Sequence, residues 1–300
     1  MTVHMILKGI YAGKPATFQL LLLLLFLLFG GILSSLIGTG SCFLLYGASG
    51  NLMQNPDAMR FMQLISAIGT FLFPSLAVAW LCSPTPGEYL WMKKSPDIKI
   101  LFLVLISMFL MSPAITLTAL FNKQMVLPTF MAPVENWMKA QEALAEQLTN
   151  MLLSGDGLMN LLANLLVVAV MAGITEEFLF RGALQRIIGK WTSNHHIVIW
   201  TAAIIFSAFH MQFYGFLPRI LLGAYFGYLL YWSRNIWIPV FAHFVNNAFA
   251  VISMSDDRLK ENEFITGDIS DTYLLPYSAL AIVTLLLFYL CTQQIKRMTN

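Results

Sequence analysis

The sequence predicts an all-α, polytopic membrane protein with about eight transmembrane helices and one interfacial amphipathic helix. Hydrophobic residues make up 58% of the 300 residues and charged residues only 11%, whereas a soluble domain carries about 25% charged residues. Several apolar runs approach or exceed the roughly 20 residues that a helix needs to cross a bilayer. Only helices and closed barrels satisfy the backbone in lipid, and these runs are continuous rather than alternating, so helices are predicted.

The apolar runs define the candidate spans in chain order. They cover residues 18–37, 61–82, 98–121, 158–187, 196–212, 216–232, 236–254 and 273–292. The first run follows Lys8 and Lys14 as a signal peptide would, but it is longer than the usual signal core of about 7–15 apolar residues. A retained first helix is therefore predicted.

Residues 133–152 differ from the spans around them. Their apolar residues recur at helical spacing, and charged residues stand between them. The charged residues are Glu135, Lys139, Glu142 and Glu146. This pattern predicts an amphipathic helix that lies at the membrane interface.

Basic residues are distributed unevenly between the two ends of the predicted bundle. The end that we call the basic end carries Lys8, Lys14, Lys93, Lys94, Arg186, Lys190, Arg234, Lys296 and Arg297. At the opposite, acidic end, residues 255–272 contain six acidic and two basic residues. The positive-inside rule therefore predicts an integral membrane protein with both termini in the cytoplasm. The net charge of +2 and the lack of a basic run give no indication of a nucleic-acid partner.

Charged residues within apolar spans are costly, so they are usually paired or functional. In the fourth span, Glu177 and Arg181 stand at i and i+4 with the acid first, which favours an ion pair on a helix. Glu176 is rotated about 100° from Glu177 and is free to face another group. The segment suggests a structural pair beside a reactive carboxylate, although an interfacial charge cluster would give the same pattern.

Two further spans carry polar residues with catalytic chemistry. His210 follows Phe206 by four residues in the fifth span, and His243 precedes Asn247 by four in the seventh. Each alone is also explained by hydrogen-bonded packing between helices. At 1.5 Å per residue, Glu176, His210 and His243 lie roughly 10–20 Å from the basic end, so the three can meet. We expect them to line one polar cavity that opens toward the cytoplasm.

The ordered set of motifs resembles the CAAX prenyl protease and bacteriocin-processing family, also called the CPBP or ABI family. The matching motifs are Glu176-Glu177-x-x-x-Arg181, Phe206-x-x-x-His210 and His243-x-x-x-Asn247. The resemblance covers roughly 155–255. It implies a catalytic transmembrane core at 155–300, with its motifs within 174–247, and a family-divergent segment at 1–154 that holds the remaining spans and the interfacial helix.

The resemblance also implies an activity, an intramembrane endopeptidase that hydrolyses peptide bonds. Glu176 and His210 would activate a water, while His243 and Asn247 would stabilise the oxyanion. Glu177, Arg181 and Phe206 would support them. Membrane-associated or lipidated peptides are the implied substrates, in CAAX-type processing or in leader and bacteriocin-type processing.

The cofactor and two other functions stay open at this point. Glu176, His210 and His243 are chemically suited to bind zinc, and a metal-free glutamate mechanism fits equally well. An ion-coupled transporter would also use carboxylates and histidines within the membrane, but no inverted repeat is seen. A catalytically idle scaffold would not require two acids and two histidines.

Overall fold

A computed structural model describes residues 7–47, 52–92 and 95–299; Lys93 and Lys94 of the basic end lie outside these ranges. The described chain is helical and contains no strand. Its long helices are α1 (Ala16–Tyr46), α2 (Pro56–Cys82), α3 (Ile98–Lys123), α4 (Ala132–Leu153), α5 (Leu158–Ile188), α6 (His195–Phe209), α7 (Phe216–Ser233), α8 (Trp237–Ser253) and α9 (Asp271–Thr299). Short helical segments are Leu52–Gln54, Pro86–Tyr89, Thr129–Met131, Phe213–Gly215, Asp257–Lys260 and Glu263–Thr266.

The helix lengths confirm the predicted class of an all-α polytopic membrane protein. In the described ranges, six helices are long and apolar enough to cross a membrane: α1, α2, α3, α5, α7 and α9. The apolar helices α6 and α8 are shorter. The span predicted at 196–212 ends early, at Phe209, because His210 caps the helix and Met211 takes a left-handed conformation with φ of 55°. His210 therefore lies at the start of a loop rather than inside a helix.

Side-chain caps fix where three of the helices begin. Asn55 accepts hydrogen bonds from two backbone N–H groups at the start of α2, and Asp97 accepts one at the start of α3. Asn194 caps α6 in the same way. Such caps satisfy N–H groups that have no partner within the helix, so they set the boundaries by local chemistry.

Three wide, π-type turns interrupt the long helices. One lies in α2 at Ile68–Leu72, and two lie in α5 at Leu165–Met171 and Phe178–Leu184. Turns of this kind change the direction of the side chains that follow them, and they are frequent at functional sites. The two in α5 enclose the regular segment Ala172–Glu177, which carries both acidic residues.

Small residues allow close helix crossings. A Cβ atom added to Gly30 of α1 would stand 2.1 Å from the carbonyl oxygen of Gly69 in α2, so only glycine fits there. At the centre of the bundle, a Cβ atom on Gly173 of α5 would stand 3.3 Å from backbone atoms of Val240 and Phe244 in α8. Such close approach of backbones is typical of membrane helix pairs. It brings the acidic segment of α5 directly against the helix that carries His243.

The amphipathic helix predicted at 133–152 is present as α4, and none of its residues is buried. It covers the loop between α6 and α7, because the Trp137 and Phe213 rings pack 5.3 Å apart and the Glu142 carboxylate accepts a 3.4 Å hydrogen bond from Tyr214 N. Large apolar side chains remain exposed on α4, including Trp137 and Leu144. These features fit a helix lying along the membrane interface.

Arg60 joins α2 to the chain that connects α4 and α5. Its guanidinium donates to the side chains of Asp57, Asn160 and Asn164 and to the carbonyl oxygens of Leu152 and Ser154, and Arg60 itself is 4% exposed. A buried guanidinium is tolerated only when its donors are satisfied, as they are in this network.

We expect the substitution Arg60→Met to lower the free energy of unfolding by about 3 kcal/mol, because it leaves several buried acceptors without a donor. Thermal melting of the purified protein in detergent measures the effect. Arg258→Met is the matched control, since the Arg258 side chain is 91% exposed, and it should melt like the wild type. An unchanged midpoint for Arg60→Met would show that the network does not hold the fold together.

Candidate active site

Glu176 lies between the two histidines that the sequence singles out. Its Oε2 atom is 3.9 Å from Nε2 of His210 and 3.9 Å from Nε2 of His243. The same Oε2 atom is buried and makes no hydrogen bond within the protein. The three spans therefore bring the predicted acid and both predicted histidines together around one carboxylate oxygen.

Hydrogen bonds on the far side of each ring fix the protonation pattern of the histidines. Nδ1 of His210 is 2.9 Å from the carbonyl oxygen of Phe206, and Nδ1 of His243 is 2.8 Å from Oε1 of Glu177. Both partners are acceptors, so each Nδ1 donates, and each Nε2 faces Glu176. The site thus directs two ring nitrogens and one carboxylate oxygen at the same point.

Glu177 and Arg181 form the ion pair that their spacing predicts, with Arg181 Nη1 2.8 Å from Glu177 Oε1 and side-chain exposures of 0% and 1%. The pair has a partner that spacing did not predict, because the same Oε1 atom binds His243. Arg181 Nη2 also donates to the carbonyl oxygen of Gly223 at 2.9 Å. The pair therefore connects α5, α7 and α8 and orients one of the two histidines.

Aromatic rings form the walls around the histidines. The Phe206 ring packs edge-on against His210 and His243, with centroids 4.9 and 5.9 Å away, and the Arg181 guanidinium lies 4.4 Å above it. Phe226 stacks on His243 at 5.3 Å. Phe206 was predicted as a supporting residue, whereas Phe226 was not, because its position in α7 carries no polar signal. The rings restrict the orientations available to both imidazoles.

Asn247 occupies a different environment from the one its predicted role suggests. Its Nδ2 atom donates to the carbonyl oxygen of Val168, at 2.9 Å, and its Oδ1 atom accepts from Asn246 at 3.1 Å. One hydrogen of the amide is thus bound to a carbonyl that the π-type turn of α5 leaves available, while the second remains for a ligand. A role in oxyanion binding stays a prediction.

Arg219 of α7 is a basic residue near the site that sequence reasoning missed. It interacts electrostatically with Glu176, His210 and Glu142, and its guanidinium donates to Gln212 at 2.9 and 3.2 Å. The signal was present in the sequence, because Arg219 is a charged residue inside a predicted span. It adds positive potential beside one acid and two imidazole rings.

Exposure of the site rises toward the acidic end of the bundle. The Glu177 and Arg181 side chains close the side nearer the basic end, with 0% and 1% exposure, whereas the His210 side chain is 29% exposed. His210 leads into the loop 211–215, beneath α4. These exposures disagree with the expectation that the cavity opens toward the basic, cytoplasmic end. The reason is that α6 ends at Phe209, so His210 lies at the start of the loop and is partly exposed.

The three candidate metal ligands do not have the spacing of a zinc site. Zinc bonds of about 2.0–2.2 Å place neighbouring donor atoms of a tetrahedron roughly 3.3–3.6 Å apart, whereas Glu176 Oε2 is 3.9 Å from each Nε2. In the described part of the chain, no group of three or more acids, histidines or cysteines is close enough to hold a metal ion.

Comparisons with known proteins match part of the chain. A curated relative, the uncharacterized protein YpbD of Bacillus subtilis (strain 168), is 29% identical over 104 residues, which is 33% of this chain and 50% of that protein. The match thus spans about half the length of the relative. No solved structure matches the chain.

The family model for type II CAAX prenyl endopeptidases matches residues 158–249. This segment begins with α5 and extends into α8, so it contains Glu176, His210, His243 and their supporting residues. The motif resemblance and the family match thus agree on the same part of the chain. Residues 158–249 form an Rce1-like domain of the CAAX prenyl endopeptidase (CPBP) family.

Proposed function

We propose that this protein is an intramembrane endopeptidase in which Glu176 activates the water that attacks a peptide bond. The observation that supports it best is the buried Glu176 Oε2 atom, equidistant at 3.9 Å from two histidine Nε2 atoms. A carboxylate in that position is within single-water reach of both rings. No other cluster among the described residues combines an acid with two oriented histidines.

The proposed reaction uses general base catalysis. Glu176, assisted by His210, takes a proton from water, and the resulting hydroxide attacks the carbonyl carbon of the scissile bond. Charge then develops on the carbonyl oxygen. When the carbon–nitrogen bond breaks, Glu176 returns the proton to the leaving amine, so the site ends in its starting state.

His243 and Asn247 are the proposed stabilisers of the oxyanion. In the proposed state His243 is protonated on both nitrogens: its Nδ1–H donates to Glu177 Oε1, while Nε2–H donates to the oxyanion. The second hydrogen of the Asn247 amide supplies another donor. Glu177 and Arg181 act as positioning residues in this scheme, since they touch His243 and α7 rather than substrate.

The proposed substrates are membrane-associated or lipidated peptides, as in CAAX-type or leader and bacteriocin-type processing. We propose that they reach the site past His210 and the loop 211–215, at the acidic end of the bundle, where exposure of the site is greatest. The positive-inside rule predicts that the opposite end is cytoplasmic.

Proteomics of membranes identifies the substrate and tests the function. We expect cells that carry Glu176→Ala to accumulate one or more uncut precursors that cells with the wild-type protein process. Glu146→Ala, which removes an exposed acid from α4, is the matched control and should leave processing intact. Identical peptide profiles in the wild type and Glu176→Ala would favour a transporter or a scaffold instead.

Cysteine labelling in intact cells tests the proposed orientation. In a background without the three native cysteines, an impermeant maleimide should label a cysteine that replaces Ser270 at the acidic end. It should not label a cysteine that replaces Ser193 at the basic end. The reverse pattern would place the termini outside and turn the opening of the site toward the cytoplasm.

A further inference from the structure

A polar cavity lies at the basic end of the bundle, on the far side of the Glu177–Arg181 pair from Glu176. It has a volume of about 350 Å³, and α5, α6, α7 and the segment around Trp91 surround it. The basic residues that line it are Arg181, Arg186, Lys190, His195 and Arg234. No acidic residue of the described chain lines it. The active-site chemistry makes no use of this cavity.

The cations at the mouth of the cavity have no counter-ion there. Arg186 and Arg234 repel each other, and so do Arg186 and Lys190. Arg186 Nη1 donates to the carbonyl oxygens of Glu88 and Tyr89, at 3.1 and 3.0 Å, which holds the side chain in place but does not neutralise it. In the described ranges, none of the three cations forms an ion pair with a carboxylate. Their partners are neutral: Lys190 Nζ donates to Gln19 Oε1 at 2.7 Å, and the Arg186 and Arg234 guanidinium groups lie over the Trp91 ring at 5.0 and 5.1 Å. Positive charge is therefore concentrated here without a carboxylate.

The backbone at the cavity is strained. Trp91 and Arg234 both adopt left-handed conformations, with φ of 59° and 51°, although neither is a glycine. The Arg234 guanidinium lies 5.1 Å over the Trp91 ring, and Ile236 N donates to the Trp91 carbonyl oxygen at 3.1 Å. Residues held in this conformation are costly and cluster at ligand sites. The strain here holds Arg234 at the rim of the cavity.

Gln185 supplies an independent sign of a ligand. Gln185 lines the cavity and is 8% exposed. Its Nε2 atom donates to the carbonyl oxygen of Gly227 at 3.2 Å, but its Oε1 atom is buried and has no hydrogen-bond partner. Buried acceptors are normally satisfied. An acceptor of this kind beside several cations suits a ligand that combines negative charge with a hydroxyl group.

We propose that this cavity binds a phosphate-type anion, either the headgroup of an anionic phospholipid or a free phosphate. Arg186, Lys190 and Arg234 contact the phosphate oxygens, since guanidinium and ammonium groups are the usual partners of phosphate. Gln185 Oε1 accepts a hydrogen bond from a hydroxyl group of the ligand. The cavity lies where the helices leave the membrane, at the depth of lipid headgroups. A bias of basic residues for topology alone would explain exposed lysines but not a cavity with a strained rim.

Binding to the full chain in a neutral detergent tests the proposal, with phosphatidylglycerol, phosphatidylcholine and inorganic phosphate as probes in native mass spectrometry. The variant Arg234→Asn/Lys190→Gln removes two rim charges, and Asn tolerates the left-handed conformation at 234. Lys296→Gln/Arg297→Gln removes two exposed charges at the same end and is the matched control. We expect affinity for phosphatidylglycerol or phosphate to fall about tenfold or more in the rim variant and to stay within about twofold in the control.

The probes separate the two sources of the anion. Binding of phosphatidylglycerol that excess phosphate does not displace assigns the cavity to a lipid headgroup, and displacement by phosphate assigns it to a soluble anion. The proposal is overturned if the rim variant binds both probes like the wild type, or if the control loses as much affinity. If the double variant does not fold, Arg234→Asn alone has to show a loss that the control does not.

Discussion

Replacing Glu176 by Gln should abolish peptide cleavage, and His210→Ala and His243→Ala should each do nearly the same. We expect each change to lower kcat by roughly 10³-fold or more, because the acid and the histidines act as one unit. Gln keeps the size of Glu176 but removes the charge that accepts a proton from water. The measurement is turnover of the substrate that proteomics identifies, with purified protein in detergent.

A double variant shows whether the three groups act in one mechanism or contribute separately to kcat. If the three groups act together, combining His210→Ala with Glu176→Gln should cost little more than either change alone. Matched controls are Glu146→Gln and His196→Ala, which make the same changes at exposed positions and should keep full turnover. Losses that multiply in the double variant would instead indicate that each residue contributes separately.

The second large effect concerns the Glu177–Arg181 pair. Glu177→Ala or Arg181→Ala should lower the free energy of unfolding by roughly 3–5 kcal/mol, because either change leaves a buried charge without its partner. Replacing both residues by Leu should recover much of the stability, since two apolar side chains leave no unpaired charge. Thermal melting in detergent measures all three variants.

The contact with His243 adds a prediction about activity that spacing alone did not give. The double Leu variant should remain nearly inactive although it folds, because no carboxylate then holds Nδ1 of His243. The pair Glu135–Lys139 has the same i, i+4 spacing and a 2.7 Å contact, and its Lys139 side chain is 58% exposed. Lys139→Ala is therefore the matched control and should leave the melting midpoint unchanged. If both single variants of the buried pair also melt like the wild type, the pair does not support the fold.

Sequence reasoning reached the parts of the site that depend on local spacing. The Glu177–Arg181 contact follows from i, i+4 geometry, and the free side chain of Glu176 follows from its rotation by one residue. The rise per residue predicted that Glu176, His210 and His243 lie at similar distances from the basic end of their spans. The 3.9 Å distances confirm that the three side chains meet. These features need only a helix and its rise per residue.

The rest of the site depends on geometry that the sequence does not encode locally. The π-type turns of α5 rotate the side chains that follow them relative to a regular α-helix. The contacts of Glu177 with His243 and of Val168 with Asn247 therefore could not be predicted from the spacing of these residues in the sequence. The end of α6 at Phe209, three residues before the predicted end, could not be read from its apolar pattern. The division of the chain at residue 154 stays a prediction, since the family match begins at residue 158 and says nothing of the helices before it.

We propose that the Glu176 carboxylate activates the water without a metal. The most direct measurement is substrate turnover by purified protein whose metal content has been reduced below one ion per ten chains, for the wild type and Glu176→Gln side by side. We predict that the metal-depleted wild type cleaves at its full rate and that Glu176→Gln does not cleave with or without added zinc. Loss of activity on depletion that zinc restores, or full turnover by Glu176→Gln, would contradict it.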